Sequence, residues 1–474
     1  MRQDKSIQWA KLVDAAAIVM FVCTICVPST AQKNQSVDLQ ALKERLQRLE
    51  QEMQDLKDEI NTVEQSQQTP LAAAAASLRS PPAPPAENQK ASTEQEKSES
   101  TIDLYGFIMT DTGYDFGQIN PQWFDVERPT QLPSYTNQYG GNGNTYFSVR
   151  QTRFGVRTST PTGLGDLKTQ FEFELFGTGV DAGQTTFRLR HAYGELGQFG
   201  AGQTWSPFMD IDVFPNSLEY WGPNGMVFFR NVQVRWMPIR SSRTNLTFAL
   251  ERPGASADQG VYADRIEGLG SVKPRFNLPD ISGHVRLTRK WGYVQTAGIF
   301  RKIGWVDIND PQNFNLSGTA YGWGVNVTSN LKFSSKDVGK FAVVYGEGVE
   351  NYMNDAPVDI SVKNNFSNPV SPIKGVPLPV LGVVSFLDHN WGERFSSSVG
   401  YSMVNIDNSN GQNPDDYHQG HYALANLLYH PVPKVTMGGE FQFGRRLNFS
   451  DGFNVNDYRM QVSFKYDWKK TLAY

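Results

Sequence analysis

Cysteine is almost absent from this 474-residue chain. The two present, Cys23 and Cys26, fall within the first 31 residues, so the rest has no disulfide framework and no thiolate metal site. Long apolar runs are missing too. A membrane-spanning helix needs about 20 consecutive apolar residues, and the longest such stretch, Ala15–Val27, is shorter than that. No helical pattern competes beyond residue 65. Charge of one sign is also lacking. Residues 101–474 hold 33 Lys and Arg against 34 Asp and Glu, so net charge points to no nucleic-acid partner, and any ion preference depends on where the charges sit. No Gly-x-Ser-x-Gly motif, phosphate-binding loop or local Ser/His pairing occurs. The chain reads as a non-enzyme that needs no cofactor.

What is present is alternation. Tyr458, Met460, Val462, Phe464, Tyr466, Trp468, Leu472 and Tyr474 all sit at even positions, with Arg459, Gln461, Ser463 and Lys465 between them. That is a strand with one apolar face and one polar face. Lys470 breaks the apolar set and leaves the pairing of the last residues open. Sixteen such segments run from 102–115 and 145–159 to 434–447 and 456–474. Connections after even segments are tight, as at Ser241–Arg243 and Pro431–Pro433; those after odd segments are longer, as at Phe116–Asn144 and Pro207–Gly225. Short turns at one end and long loops at the other predict an all-β, 16-stranded antiparallel transmembrane β-barrel in the outer membrane of a Gram-negative bacterium. Both ends of the barrel then lie on the periplasmic side. Sixteen strands enclose an aqueous channel, whereas eight would fill with side chains.

The front of the chain is different. Arg2, Lys5 and Lys11, the apolar stretch and Ser29-Thr30-Ala31 predict a signal peptide over 1–31. Within 32–65, Leu39, Leu42, Leu46, Leu49, Met53, Leu56, Ile60 and Val63 alternate spacings of three and four, the seam of an N-terminal periplasmic α-helical coiled coil. An isolated helix would leave that seam wet, so it predicts an oligomer. Residues 66–100 are Ala/Pro-rich and then polar, a flexible linker to the barrel at 101–474.

Alternation also assigns sides. Phe154 and Val156 go with the lipid set, so Arg153 and Arg157 face inward. Phe171 and Phe173 face out and Glu172 and Glu174 in; Phe187, Leu189 and Tyr193 face out and Arg188 and Arg190 in. Arg235, Arg286 and Arg301 join the inner set. Guanidinium groups in a wet bore attract anions and grip carboxylates or phosphates through paired N–H groups. The two glutamates supply counter-charge, and a wall of mutually paired, neutral lining is the alternative. The loop after the fifth segment carries Asp210, Asp212, Glu219, Tyr220 and Trp221, and is expected to fold inward and constrict the bore. His418 and His421 point to opposite faces of a strand and read as polar edge residues rather than metal ligands; His191 reads as structural. Trp236, Trp291, Trp391, Tyr429 and Trp468 read as aromatic girdles against lipid headgroups.

Three segments then give a resemblance: Asp103-Leu104-Tyr105-Gly106-Phe107, Arg150-Gln151-Thr152-Arg153-Phe154-Gly155, and Leu189-Arg190-His191-Ala192-Tyr193-Gly194 followed by Gly202-Gln203-Thr204-Trp205-Ser206-Pro207-Phe208-Met209-Asp210. With the leader and heptads before them, the chain resembles the DcaP-like porins. The resemblance implies a homotrimeric outer-membrane channel favouring small anionic solutes, dicarboxylates included, with Arg153, Arg188, Arg190 and Arg235 lining the lumen. A phosphate-selective channel is the first alternative. The second is a structural envelope tether, its coiled coil holding the cell wall; an enzyme comes last.

Overall fold

The structure is a computed structural model that describes Gln51 and residues 99–263, 270–308 and 315–473. The leader, the heptad seam and residues 66–98 of the linker lie outside the described residues.

The strands are β1 (Thr101–Asp115), β2 (Asn144–Ser148), β3 (Arg153–Thr162), β4 (Gly165–Phe176), β5 (Thr185–Leu196), β6 (Phe199–Trp205), β7 (Arg230–Arg240), β8 (Thr244–Glu251), β9 (Val272–Pro274), β10 (Asp280–Arg289), β11 (Gly292–Asp307), β12 (Gly318–Lys332), β13 (Asp337–Glu347), β14 (Ile360–Asn364), β15 (Ile373–Pro377), β16 (Pro379–Asn390), β17 (Phe395–Ile406), β18 (Tyr417–Tyr429), β19 (Val435–Asn448) and β20 (Asn454–Ala473). β2 and β3 are one wall strand, broken at 149–152, and both pair with β1. β9 extends the wall beside β11, and β14 and β15 form a separate hairpin. Sixteen antiparallel wall strands remain.

The wall closes where β1 meets β20, from Asp115↔Arg459 to Thr101↔Ala473. Lys470, opposite Leu104, therefore does not end the ladder. Closure leaves no unpaired edge for lipid to solvate. On β20, Tyr458, Met460, Val462, Phe464 and Tyr466 point outward and are exposed, while Asp457, Arg459, Gln461 and Ser463 point inward and are buried. Trp236, Trp291 and Trp391 stand exposed at the short-turn end, where Tyr429 stacks on Phe395 with ring centroids 4.9 Å apart.

The interior is less watery than alternation alone implies. Loop residues 206–229, between β6 and β7, fold into the barrel. Phe208, Val213, Met226 and Val227 pack on the inner faces of β11–β18, against Ile299, Val344, Val384, Val404 and Leu424. Burying those four loop side chains contributes on the order of 6–12 kcal/mol relative to leaving them in water. Gly225 makes the docking possible. A side chain there would lie 2.1 Å from the Met403 carbonyl and 2.7 Å from that of Val383, and its amide donates to Ser402 Oγ at 2.9 Å. A second loop, 116–143, also turns inward, with Val126, Glu127 and Leu132 fully buried. Arg446 of β19 donates to the Thr130 carbonyl at 3.2 Å, and Asn448 to that of Ser134 at 2.8 Å.

Candidate functional site

The charged half of the bore is built on β3, β4, β5 and the start of β7. Glu172 and Glu174 project from β4 because they alternate with the outward Phe171 and Phe173. Arg153 faces Glu174 across the β3–β4 ladder, at 3.3 Å, and Glu172 at 3.7 Å. Arg190 reaches both carboxylates at 2.7 Å. Arg188 lies 3.6 Å from Glu174, and Arg230 lies 3.8 Å from it. Tyr105 donates to Glu172 at 2.7 Å, and Tyr220 of the inward loop donates to Glu174. Four guanidinium groups thus share two carboxylates, leaving two positive charges uncompensated at this point of the wall.

The four are not equivalent. The Arg190 side chain is 4% exposed and bonds Glu172 through Nε and Glu174 through Nη1, so it ties β4 to β5. Arg153 and Arg188 are 23% and 22% exposed and reach the water of the bore. Three nitrogens in the cluster, Arg153 Nε, Arg188 Nη1 and Arg230 Nη1, have no hydrogen-bond partner. Unpartnered buried donors cost stability unless a ligand satisfies them. A cavity of about 320 Å³ opens beside them, lined by Arg188, Arg230, Tyr220, Trp221, Asn351 and Asn354.

The remaining expected residues are dispersed. Arg157 is exposed nearer the short-turn end, its guanidinium 4.3 Å from the centre of the Tyr105 ring. Arg235 donates to Gln233 Oε1 at 2.7 Å and to the Trp205 carbonyl at 2.5 Å. Arg286 grips Asp210 and Asp212, each at 2.5 Å, and so pins the inward loop to β10. Arg301 departs from the expectation of open lining. It is fully buried, held by Asp280 at 3.0 Å and Asp359 at 2.8 Å, and has no surface left for a solute.

The three loop acids are also anchors more than open lining. Asp210 is buried and accepts from Tyr293 at 2.7 Å and Thr328 at 2.6 Å. Glu219 is buried between the two inward loops, accepting from the Trp221 amide at 3.0 Å and from Glu127 N at 3.2 Å. Only Asp212 is half exposed.

One side assignment is reversed. Tyr193, expected on the lipid face, faces the bore, with Arg235 5.2 Å from its ring centre. The pairing of β4 with β5 shifts register between Glu172↔His191 and Phe173↔Leu189, leaving Arg190 as an extra residue. The bulge puts Arg190 and His191 on one side and reverses the parity of everything after them. His191 is structural, its ring 3.0 Å from Thr204 Oγ1.

Arginines that sequence reasoning did not single out complete the site. Arg230 opens β7, where the chain leaves the inward loop and alternation does not yet hold. Arg128, from the loop after β1, is sandwiched between Trp123 and Trp221 at 4.1 Å from each ring centre, and bonds to Asp355 at 2.9 Å. It joins three loops: its own, the one carrying Trp221 and the one after β13. Burial lowers its affinity for the proton, and the Asp355 carboxylate acts against that. Arg150, in the break between β2 and β3, is buried on Asp125 at 2.5 Å and donates to the Gly177 carbonyl at 2.8 Å. Its place in the stretch 150–155 is therefore to shape the wall.

Comparison with known proteins agrees with this architecture. The family model described as DcaP outer membrane protein matches residues 25–467. The outer membrane channel DcaP of Acinetobacter baumannii superposes with a TM-score of 0.64 at 19% identity, over 79% of this chain and 99% of that one. An anion-selective porin from Comamonas acidovorans gives 0.49 at 11%, over 78% of this chain and all of that one. The trimer form of OmpT from Vibrio cholerae gives 0.47 at 13%, over the same shares. No curated protein matches in sequence. With a match across most of its length and a closed 16-stranded wall, the chain belongs to the DcaP outer membrane protein family and is an outer-membrane channel of the porin kind.

Proposed function

We propose that this channel passes small anionic solutes, carboxylates and dicarboxylates among them, by passive diffusion. The supporting observation is the cluster on β3–β5 and β7: four arginines on two glutamates, with three buried guanidinium nitrogens left without a hydrogen-bond partner. Fixed positive charge in a narrow bore raises the local concentration of anions, and bidentate donors favour carboxylates. Lys340, which reaches the inward loop, is engaged by Asp388 at 3.1 Å and by the Phe214 carbonyl at 2.5 Å, so it does not support the phosphate-selective alternative.

The homotrimer belongs to the same proposal. Phe154, Phe171, Phe173, Phe187 and Trp468 form a continuous outward run of rings on β3, β4, β5 and β20, with neighbouring centroids 5.0–6.1 Å apart. Such a face suits a neighbouring copy as well as lipid. The heptads within 32–65 would supply a periplasmic coiled coil to the same assembly and a link to the cell wall.

The test is the reversal potential of the purified protein in planar bilayers under a potassium chloride gradient. Anion preference is expected, and replacing Arg188 and Arg230 together with Ala should lower the anion-over-cation permeability ratio several-fold at unchanged open time. An unchanged ratio rejects these two as the filter.

A further inference from the structure

On one sector of the outer wall the apolar band ends and a row of cations begins. Leu250 of β8, Ile281 of β10, Phe300 of β11 and Trp323 of β12 are register partners in series, and all four are exposed. Their chain neighbours Ala249, Glu251, Asp280, Ser282, Ile299 and Arg301 are buried, so this rung faces lipid. Two residues beyond it, toward the long-loop end, stand Arg252 and Lys302. Arg252 still follows the ladder, its amide donating to the Val232 carbonyl at 2.8 Å. Period two keeps both cations on the outward face. They lie about 7 Å above the rung and about 10 Å apart, since only β10 runs between their strands. β9 adds Lys273 and Arg275 at the same edge, both exposed: Lys273 pairs with Val306, and the Arg275 amide donates to the Gly304 carbonyl at 2.8 Å.

The protein does not neutralise this charge. Among the described residues none of the four cations forms an ion pair, and Arg252, Arg275 and Lys302 make no side-chain hydrogen bond. The acids of these strands look elsewhere. Glu251 and Asp280 are buried on the inner face, and Asp307 accepts from the Leu316 amide at 3.3 Å. Glu347, outward on β13, is taken by the Trp323 indole at 2.9 Å. There is also room beside the cations: Arg252 lines a cavity of about 350 Å³ together with the outward Gln203 and Val232.

A guanidinium and an ammonium fixed at the top of an apolar band fit a molecule with the same two parts, a phosphate above acyl chains. The long-loop end of a porin wall lies in the outer leaflet, where the lipid of a Gram-negative outer membrane is a phosphorylated, multiply acylated disaccharide. The ring-rich face on β20 and β3–β5 belongs to other strands, so a neighbouring copy seated there leaves β8–β11 to lipid. We propose that this edge binds the phosphate of an outer-leaflet glycolipid, with Arg252 and Lys302 on the phosphate and Leu250, Ile281 and Phe300 against the acyl chains. The site is independent of what the bore passes.

The experiment measures lipid bound to the full-length protein in neutral detergent by native mass spectrometry. The probes are diphosphoryl lipid A, the same lipid with its phosphates removed, and phosphatidylcholine. The phosphorylated lipid should half-saturate the protein at a concentration at least about tenfold below that of either other lipid. Each cation removed should weaken binding about fivefold, so Arg252→Gln combined with Lys302→Gln should raise the half-saturating concentration by about 25-fold. Arg445→Gln, at an outward arginine of β19 already bonded to Asn454 at 3.3 Å, should leave it unchanged. Equal binding of the dephosphorylated lipid, or a double variant that binds lipid A as the unsubstituted protein does, overturns the site. Full displacement of the lipid by equimolar inorganic phosphate overturns it too, since free phosphate would then be the ligand. So does a double variant that loses its oligomer, which would seat a second copy on this face. The comparison among the three lipids stands even if the double variant misfolds. The reversal potential, which tests the anion reading, should be the same in the double variant and the unsubstituted protein.

Discussion

The two halves of the bore are built on opposite principles. On β3–β5 the inner face carries Arg153, Arg188, Arg190, Glu172 and Glu174, a charged network of which Arg153 and Arg188 stay partly exposed. On β11–β18 the inner face carries Ile299, Val344, Val384, Val404 and Leu424, and the inward loop lies on it as on a core. Both halves have the same outward face, because both meet lipid. The difference is confined to what lies inside, and it separates two jobs. Under the proposed function the apolar half sets how far the loop protrudes, and so how wide the passage is, and the charged half sets which ions prefer it. Substitutions on one side should alter one property and leave the other.

Arg190 gives the largest expected effect, because on the charged side it is the buried tie. Removing one partner from a buried ion pair costs about 3–5 kcal/mol. Arg190→Ala leaves Glu172 and Glu174 without their 2.7 Å partner and should lower the unfolding free energy in lipid vesicles by about that amount. Denaturant unfolding followed by tryptophan fluorescence measures it. Arg188→Ala, at a side chain 22% exposed, should cost less than about 1 kcal/mol in the same assay. Equal losses would mean that the division between tie and filter is wrong. On the apolar side, Gly225→Val forces a side chain onto the Met403 carbonyl and should lift the loop from the wall. Single-channel conductance is then expected to change while the reversal potential stays the same. A shifted reversal potential with constant conductance would erase the separation between the halves.

Much of the charged half was legible because alternation is a strict code on regular strands. Glu172 and Glu174 alternate with the outward Phe171, Phe173 and Leu175, and no other placement satisfies lipid. Legibility failed where the period failed. The extra residue at Arg190 reversed Tyr193, and the irregular start of β7 hid Arg230. The apolar half had a signal that a simple inside–outside rule discards: the stretch Pro379–Val384 is apolar at both parities, the pattern of a strand covered on both faces. The loop after β1 likewise carries Trp123, Phe124 and Val126, more apolar surface than a solvated loop needs, and it turns inward. Arg128 and Asp355 were beyond reach, since their 2.9 Å contact joins residues of two loops that only the closed barrel brings together.

The smallest expected effect concerns the seam where loop and wall meet. Glu219 accepts amide hydrogens from Glu127, Trp221 and Gly222 and a hydroxyl from Tyr422, while Glu440 holds the amides of Leu218 at 2.7 Å and Glu219 at 3.1 Å. Burial pushes the Glu219 carboxyl up to about 7; the amides of Gly222 and Trp221 oppose it and Glu440 adds to it. A carboxyl raised on docking is proton-bound when docked and ionised when released. Its stabilisation is therefore fully present below about 4.3, the ordinary glutamate value, and is lost as the pH rises through about 7. The docked loop should be held most firmly under mild acid and loosen across neutrality. Hydrogen exchange at the amides of Leu218–Gly222, corrected for intrinsic rates, should show more protection at about pH 5 than at about pH 8. Glu219→Gln should abolish most of that difference. Protection that rises with pH would reverse the sign of the argument, and protection indifferent to pH would assign the seam wholly to the apolar packing of Phe208 and Val227.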